Sequence, residues 1–319
     1  MSDEARSTRV AVLGGSGIGR VHVRILTQLG ASVVALLGSS AESAARTAAE
    51  LSEEHGLDIR PHHELDALLA EPLDAVSICT PAARHLNELR AAWDRQLAAF
   101  CEKPLFWDAE CTEQEVARRL DELEGHPHRR LWVNTSNPVL LDAVRDQLPA
   151  PDGVQEVRFV FHTNGSFEGA DIALDLLPHG LSLLLRHLGA RELEGFEADV
   201  GRRACECRFR YGDASVTFEF QERADRPRRL AFAFDDASFE RVTQGTGATY
   251  RVGLEDTRTG EQVPSPDPFA VYLERFLAAC RRHTPAGDDE FASAATNLRL
   301  MARCADALRA AGHWTPTPA

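Results

Sequence analysis

Val10-Ala11-Val12-Leu13-Gly14-Gly15-Ser16-Gly17-Ile18-Gly19 is the stretch on which the fold turns: an apolar run passes into a glycine turn, and the turn opens a helical segment. An apolar run without alternation suits a strand buried on both faces, as in a parallel sheet. In the turn, backbone without Cβ lets main-chain N–H groups approach a pyrophosphate at a helix N-terminus. Strand, turn and helix in that order are the context a dinucleotide fingerprint requires. Aligned as G-x-G-x-x-G, Ser16 replaces the middle glycine and Gly17 stands one place along. Gly14, Ser16, Gly17, Ile18 and Gly19 are therefore the expected cofactor turn.

Working outward, a helix is expected over 19–29, strands over 31–37, 75–79, 98–101 and 131–133, and helices over 43–55 and 84–95. Alternating strands and helices predict an α/β architecture, a doubly wound parallel Rossmann domain spanning residues 1–134. After a bridging helix over 138–147 the period changes. Val157, Phe159 and Phe161 alternate, as do Phe209 and Tyr211, then Val216, Phe218 and Phe220, then Leu230, Phe232 and Phe234. Period two joined by turn residues predicts an open, mainly antiparallel sheet. With helices near 171–188, 267–281 and 288–311, it makes an α+β domain over 135–319. A sheet with one aromatic face and no covering helix layer exposes an apolar patch, so association into a homodimer or homotetramer is expected.

The chain has 319 residues and a formal net charge of −14, which argues against nucleic acid or an anionic membrane as partner. Small arginine clusters at 202–203 and 226–229 read as solvated strand ends. The seven cysteines show no regular spacing and no CxxC, so neither disulfides nor a metal site is expected. Cys205 and Cys207 share a strand face without a matching ligand pair. The stretch from Met1 to Arg9 is polar, unlike a signal peptide, and nothing approaches the roughly 20 apolar residues of a membrane span. A soluble, cytoplasmic protein with a small-molecule substrate is expected.

The second strand ends in Leu37-Gly38-Ser39-Ser40, with no carboxylate before Glu42. Ser39 and Ser40, with a helix N-terminus and Arg20 or Arg46, suit the 2′-phosphate of NADP, which an acidic residue there would repel. Either serine also suits a helix cap. The reading favours NADP over NAD. Thr80-Pro81 follows the strand at 75–79, with His85 in the next helix. Glu102-Lys103-Pro104 ends the next strand at the same carboxyl edge, where ligands sit in open α/β sheets. Phe100, Cys101, Leu105 and Phe106 flank Lys103 and predict a partly desolvated amine, readied for proton transfer. His62, His63, His126 and His128 fall in expected loops and read as solvated.

The glycine turn followed by His22, Thr80-Pro81-x-x-x-His85, and above all Cys101-Glu102-Lys103-Pro104-Leu105 resemble the glucose–fructose oxidoreductase/inositol dehydrogenase (Gfo/Idh/MocA) family. The resemblance covers nearly the whole chain. It implies that Lys103 contacts the nicotinamide ribose and the reacting hydroxyl, and it adds Thr80, Pro81, His85 and Glu102 to the cofactor site. In the second domain the family carries D-x-G-x-H-x-x-D, matched here by Asp175 and His179. Their i,i+4 spacing lets both side chains leave one helix face, although Asp175 also suits a helix cap. Pro178 implies a first turn or a kink. Leu177 replaces the family's glycine, Ser182 its second aspartate, and Asn134-Thr135-Ser136-Asn137-Pro138 lacks an arginine before the proline.

The implied activity is hydride transfer at a secondary alcohol or ketone of a sugar, cyclitol or similar molecule. His179 would be the base, Asp175 its orienting partner, and Lys103 the group on the reacting oxygen. Alternatives are a C=N or C=C reductase of a specialised pathway, or a non-catalytic nucleotide-binding regulator.

Overall fold

The apolar runs form the strands. A computed structural model describes residues 7–245, 250–282 and 288–315; Met1 to Arg6 of the polar N-terminal stretch lie outside the described residues. The chain forms two compact units. The first contains Met1–Asp108, Arg118–Asn134 and Phe269–Ala295, and the second Ala109–Ala117, Thr135–Pro268 and Thr296–Ala319.

In the first unit, β1 (Arg9–Leu13), β2 (Ser32–Leu37), β3 (Arg60–His62), β4 (Ala75–Ile78), β5 (Ala98–Glu102) and β6 (Leu131–Asn134) form one sheet in the order β3-β2-β1-β4-β5-β6. All its pairings are parallel. The connecting helices are α1 (Ile18–Gln28), α2 (Ala41–His55), α3 (Leu65–Leu69), α4 (Ala82–Asp94) and α5 (Glu113–Glu124). β4 and β5 are buried along their whole length, which explains their lack of alternation. The strand order reverses at β1, so the turn after Leu13 opens at the switch point between β2 and β4. There Gly14 N–H donates to the Leu37 carbonyl at 3.0 Å and Cys79 N–H to the Leu13 carbonyl at 2.8 Å. His62 ends β3, an edge strand that its polar residues concealed from the sequence reading.

The second unit holds α6 (Pro138–Ala143), β7 (Glu156–Thr163), α7 (Asp171–Leu188) and then β8 (Leu193–Val200), β9 (Ala204–Tyr211), β10 (Ala214–Glu222), β11 (Arg229–Phe234), β12 (Ala237–Gln244), β13 (Arg251–Asp256) and β14 (Gln262–Ser265). Later in the chain, α8 (Pro268–Arg282) falls in the first unit apart from its first residue, and α9 (Asp288–Ala310) is divided between the units after Ala295. The sheet order is β14-β13-β12-β11-β7-β10-β9-β8, antiparallel throughout except where β7 lies parallel to β10. Register places Phe239, Phe232, Phe159, Phe218 and Cys207 in one row across five strands. All five are buried.

One expectation fails here. The aromatic face is covered within the unit: α7 packs on it so closely that a Cβ on Gly180 would lie 2.6 Å from the Phe218 ring and 2.8 Å from Phe159. Among the described residues Phe167 is the one exposed large hydrophobic side chain, so the apolar patch on which association was argued is absent. The opposite face carries ion pairs instead, Arg158 with Glu219 and Arg229 with Glu240 at 2.5 and 2.9 Å. No helix among the described residues is long and apolar enough to cross a membrane.

Gly180→Val should force these rings apart and destabilise the protein by about 1–3 kcal/mol, the usual range for overpacking. Urea unfolding should show the midpoint fall with an unchanged slope; an unchanged midpoint would contradict the packing described.

Candidate active site

The glycine turn is fixed by close approach rather than by flexibility. A Cβ on residue 19 would sit 1.9 Å from the Gly14 carbonyl oxygen, and one on residue 14 would sit 2.8 Å from that of Cys79. Gly17, at φ +50°, precedes α1, and a Cβ there would meet nothing within 4 Å. Open space therefore lies over the N-terminus of an 11-residue helix with no acidic residue in its first turn. That cradle fits a dinucleotide pyrophosphate. Beside it, Ser40 caps α2, accepting from Ser43 N–H at 3.2 Å, while Ser39 is exposed. Arg20 pairs with Glu50 and Arg46 with Glu42, so both cations already face carboxylates.

β1, β4 and β5 are consecutive in the sheet, which brings the turn, Thr80-Pro81 and Glu102-Lys103 to one edge. Lys103 is half-buried there, and its peptide bond to Pro104 is cis. It is also the chain's only lysine: the other 34 of the 35 basic residues are arginines. That imbalance was readable in the sequence.

Each neighbour of Lys103 is held. Glu102 is buried, and its Oε1 accepts from Asn134 Nδ2 at 2.7 Å and lies 2.8 Å from Nε2 of His22. His22 is fully buried, with Nδ1 2.8 Å from Ser77 Oγ and 3.2 Å from Cys79 Sγ. Burial opposes charge on His22, but Cys79 and Glu102 outweigh it and hold its pKa at about 10. Burial opposes charge on Glu102 too, yet the hydrogen bond and charge of His22, then the Asn134 amide, keep that carboxyl below the usual range. On the other side, His85 is 1% exposed, with Nε2 2.7 Å from the Thr80 carbonyl and Nδ1 3.0 Å from that of Pro104. Burial pulls its pKa down. The neutral ring has one N–H to donate, so one of the two carbonyls accepts from it while the imidazole lies between the Thr80-Pro81 turn and the Lys103-Pro104 segment. The Thr80 hydroxyl in turn donates to Glu88, whose burial raises its carboxyl pKa.

Asp175 and His179 lie in the second unit, on α7. From Ile172 to Leu184 every residue is buried except these two, so the i,i+4 pair marks the helix's one accessible stripe in that run. The Phe161 ring stands edge-on to His179, 4.9 Å between centroids. Asp175 is no cap: Ala170 holds the cap position, and Asp175 is inside the helix. Pro178 is likewise well inside rather than in the first turn, and its carbonyl accepts from the buried Asn297 amide at 2.9 Å. Ser182 is buried and donates to the His179 carbonyl at 2.7 Å, so the residue replacing the family's second aspartate braces the helix instead of facing the stripe. Among the described residues no group of three or more His, Cys, Asp or Glu side chains could hold a metal ion.

A folded-state pKa of about 10 on His22, above the unfolded 6.5, means that its stabilisation is complete below pH 6.5 and is lost as pH rises through 10. Unfolding midpoints measured from pH 6.5 to 10 should therefore fall for the wild type, and His22→Gln should flatten that slope. Parallel profiles would refute the charged pairing.

Residues 8–135 match the family model described as an oxidoreductase family with an NAD-binding Rossmann fold, Gfo/Idh/MocA. No curated protein matches the chain significantly. Among solved structures, UDP-N-acetylglucosamine 3-dehydrogenase GnnA from Acidithiobacillus ferrooxidans is 20% identical, with a TM-score of 0.70 over 95% of this chain and 98% of that one. KijD10, a 3-ketoreductase from Actinomadura kijaniata, in complex with TDP-benzene and NADP, is 17% identical, with a TM-score of 0.70 over 94% and 96%. GenD2 from gentamicin A biosynthesis, in complex with NAD, is 16% identical, with a TM-score of 0.71 over 100% and 98%. At such identities the likenesses establish the fold of the whole chain. Residues 8–135 carry the match to the Gfo/Idh/MocA oxidoreductase model, and the NAD-binding Rossmann fold it describes is the fold of the first sheet.

Proposed function

We propose that the chain is an NAD(P)-dependent oxidoreductase moving a hydride between the nicotinamide and a secondary alcohol or ketone carbon of a sugar, cyclitol or similar polyhydroxylated molecule. The observation that carries this reading is the chain's single lysine, half-buried at the edge shared with the glycine turn. The UDP-N-acetylglucosamine 3-dehydrogenase and the 3-ketoreductase among the neighbours support alcohol/ketone chemistry on a sugar.

When bound, the nicotinamide supplies the hydride donor or acceptor. An alcohol proton is too weakly acidic to leave unaided, so oxidation needs a positioned base. His179 takes that proton, and Asp175 orients the imidazole and stabilises its charged form. Lys103 hydrogen-bonds the reacting oxygen, stabilises developing alkoxide and relays the proton. In reduction the same groups return it. Exposed Ser39, with no carboxylate before Glu42 to repel a 2′-phosphate, supports NADP over NAD. Association through the sheet, as a homodimer or homotetramer, would use the ion-paired outer face; a monomeric mass by light scattering at micromolar concentration would refute it.

Titration with NADPH and NADH, followed by tryptophan quenching, should give tighter binding of NADPH. On a panel of keto sugars, Lys103→Met and His179→Asn should each lower turnover by about 10²–10⁴-fold while keeping dinucleotide affinity. Lys103→Arg should fail as well, because a guanidinium keeps the charge but yields no proton. Turnover near wild type in Lys103→Met and His179→Asn would overturn the assignment.

A further inference from the structure

Of the chain's seven cysteines, six are buried and Cys79 alone is partly exposed. Its sulfur also faces an imidazole: Sγ lies 3.2 Å from Nδ1 of His22 and 3.8 Å from Ser77 Oγ. Hydride transfer gives this sulfur no task. Thiols beside a cationic imidazole or at a helix N-terminus are the reactive ones, whereas thiols buried among apolar groups are inert.

Both surroundings meet at Cys79. Burial opposes charge on His22, but Cys79 and Glu102 hold its pKa at about 10, so the ring is a cation at neutral pH. Its Nε2–H donates to the Glu102 carboxylate at 2.8 Å, which turns Nδ1–H toward Ser77 and the sulfur. The helix is α1: a Cβ on Gly19, its second residue, would lie 3.6 Å from the Cβ of Cys79. The cysteine also stands against the glycine turn, since a Cβ on Gly14 would lie 2.8 Å from its carbonyl oxygen. An oxygen added at Sγ would bring bulk and negative charge to the edge of a cradle suited to a pyrophosphate.

We propose that Cys79, coupled to His22, is a peroxide-reactive thiol whose oxidation to the sulfenic acid weakens dinucleotide binding at the glycine turn. Attack of the sulfur on a hydroperoxide forms the S–O bond and breaks the O–O bond. The leaving oxygen takes the thiol proton and departs as water or an alcohol, so the sulfur is oxidised and the peroxide reduced. His22 Nδ1–H balances the negative charge that gathers on sulfur during the attack. The inference rests on the oxidoreductase reading only in taking the ligand of the turn to be a dinucleotide.

The test treats the reduced, full-length protein with hydrogen peroxide in the presence of dimedone, which traps sulfenic acids, and locates the adduct by peptide mass spectrometry. The adduct should form on Cys79 at least about tenfold faster than on the cysteines of the urea-unfolded chain, and should vanish in Cys79→Ser. His22→Gln, checked for native circular dichroism, should bring the rate down to that of the unfolded chain; if that variant does not fold, the wild-type rate and Cys79→Ser decide. The Kd for NADPH, followed by tryptophan quenching, should rise at least about tenfold after peroxide and recover with dithiothreitol, and in Cys79→Ser it should not respond to peroxide. Adducts spread over other cysteines, Cys79 reacting no faster than in the unfolded chain, or NADPH affinity indifferent to its oxidation would each overturn the proposal. Untreated protein that binds no dinucleotide would instead count against the oxidoreductase reading, with the labelling rate still deciding on Cys79.

Discussion

A buried imidazole against a buried carboxylate organises the first unit. His22 comes from the helix that the glycine turn opens, Glu102 from the residue before Lys103, Ser77 from β4 and Asn134 from the end of β6. Removing one partner would leave a charge uncompensated in the interior, which is far more damaging than replacing the pair with apolar groups. The arrangement makes the distance between the glycine turn and the lysine a property of the core. A surface loop could not hold that distance as well, because nothing would penalise its drift. His85 performs a similar service on the far side of Lys103, with backbone carbonyls beside its ring nitrogens.

The second unit divides its labour by faces. The aromatic rows of the sheet and the apolar residues of α7 consume each other, and what remains accessible on Ile172–Leu184 is the polar pair alone. A helix so extensively buried cannot easily rotate or slide, since interiors packed at crystal density transmit strain rather than absorb it. Asp175 and His179 thus sit on one of the least adjustable elements of the unit. Ser182 and Asn297 add hydrogen bonds to the carbonyls of the same turn.

The sequence made some of this legible and hid the rest for physical reasons. Strands β1, β2, β4 and β5 announced themselves because burial on both faces demands unbroken apolar runs, and α7 stood out through its leucines. β3, with Arg60-Pro61-His62, shows no such run because it lies at an edge. The covering of the aromatic face escaped notice because a helix layer is a long-range fact: nothing near Phe159 or Phe218 in sequence states that Gly180 will lie against them. Lys103, Asp175 and His179 were picked out by motif and spacing. The pairing of His22 with Glu102 was not, because it joins residues 80 positions apart. A histidine on the apolar face of an otherwise well-patterned helix was the available clue.

A chain with 34 arginines and one lysine holds nearly all of its positive charge in groups that never release a proton under conditions where proteins stay folded. Its surface cations are therefore inert toward acid–base chemistry and toward amine-seeking reagents alike. The single ε-amine stands at the edge where a cofactor cradle opens. Any reagent, isotope label or carbonyl metabolite that reacts with side-chain amines will therefore report on that edge and on nothing else along the side chains of this protein.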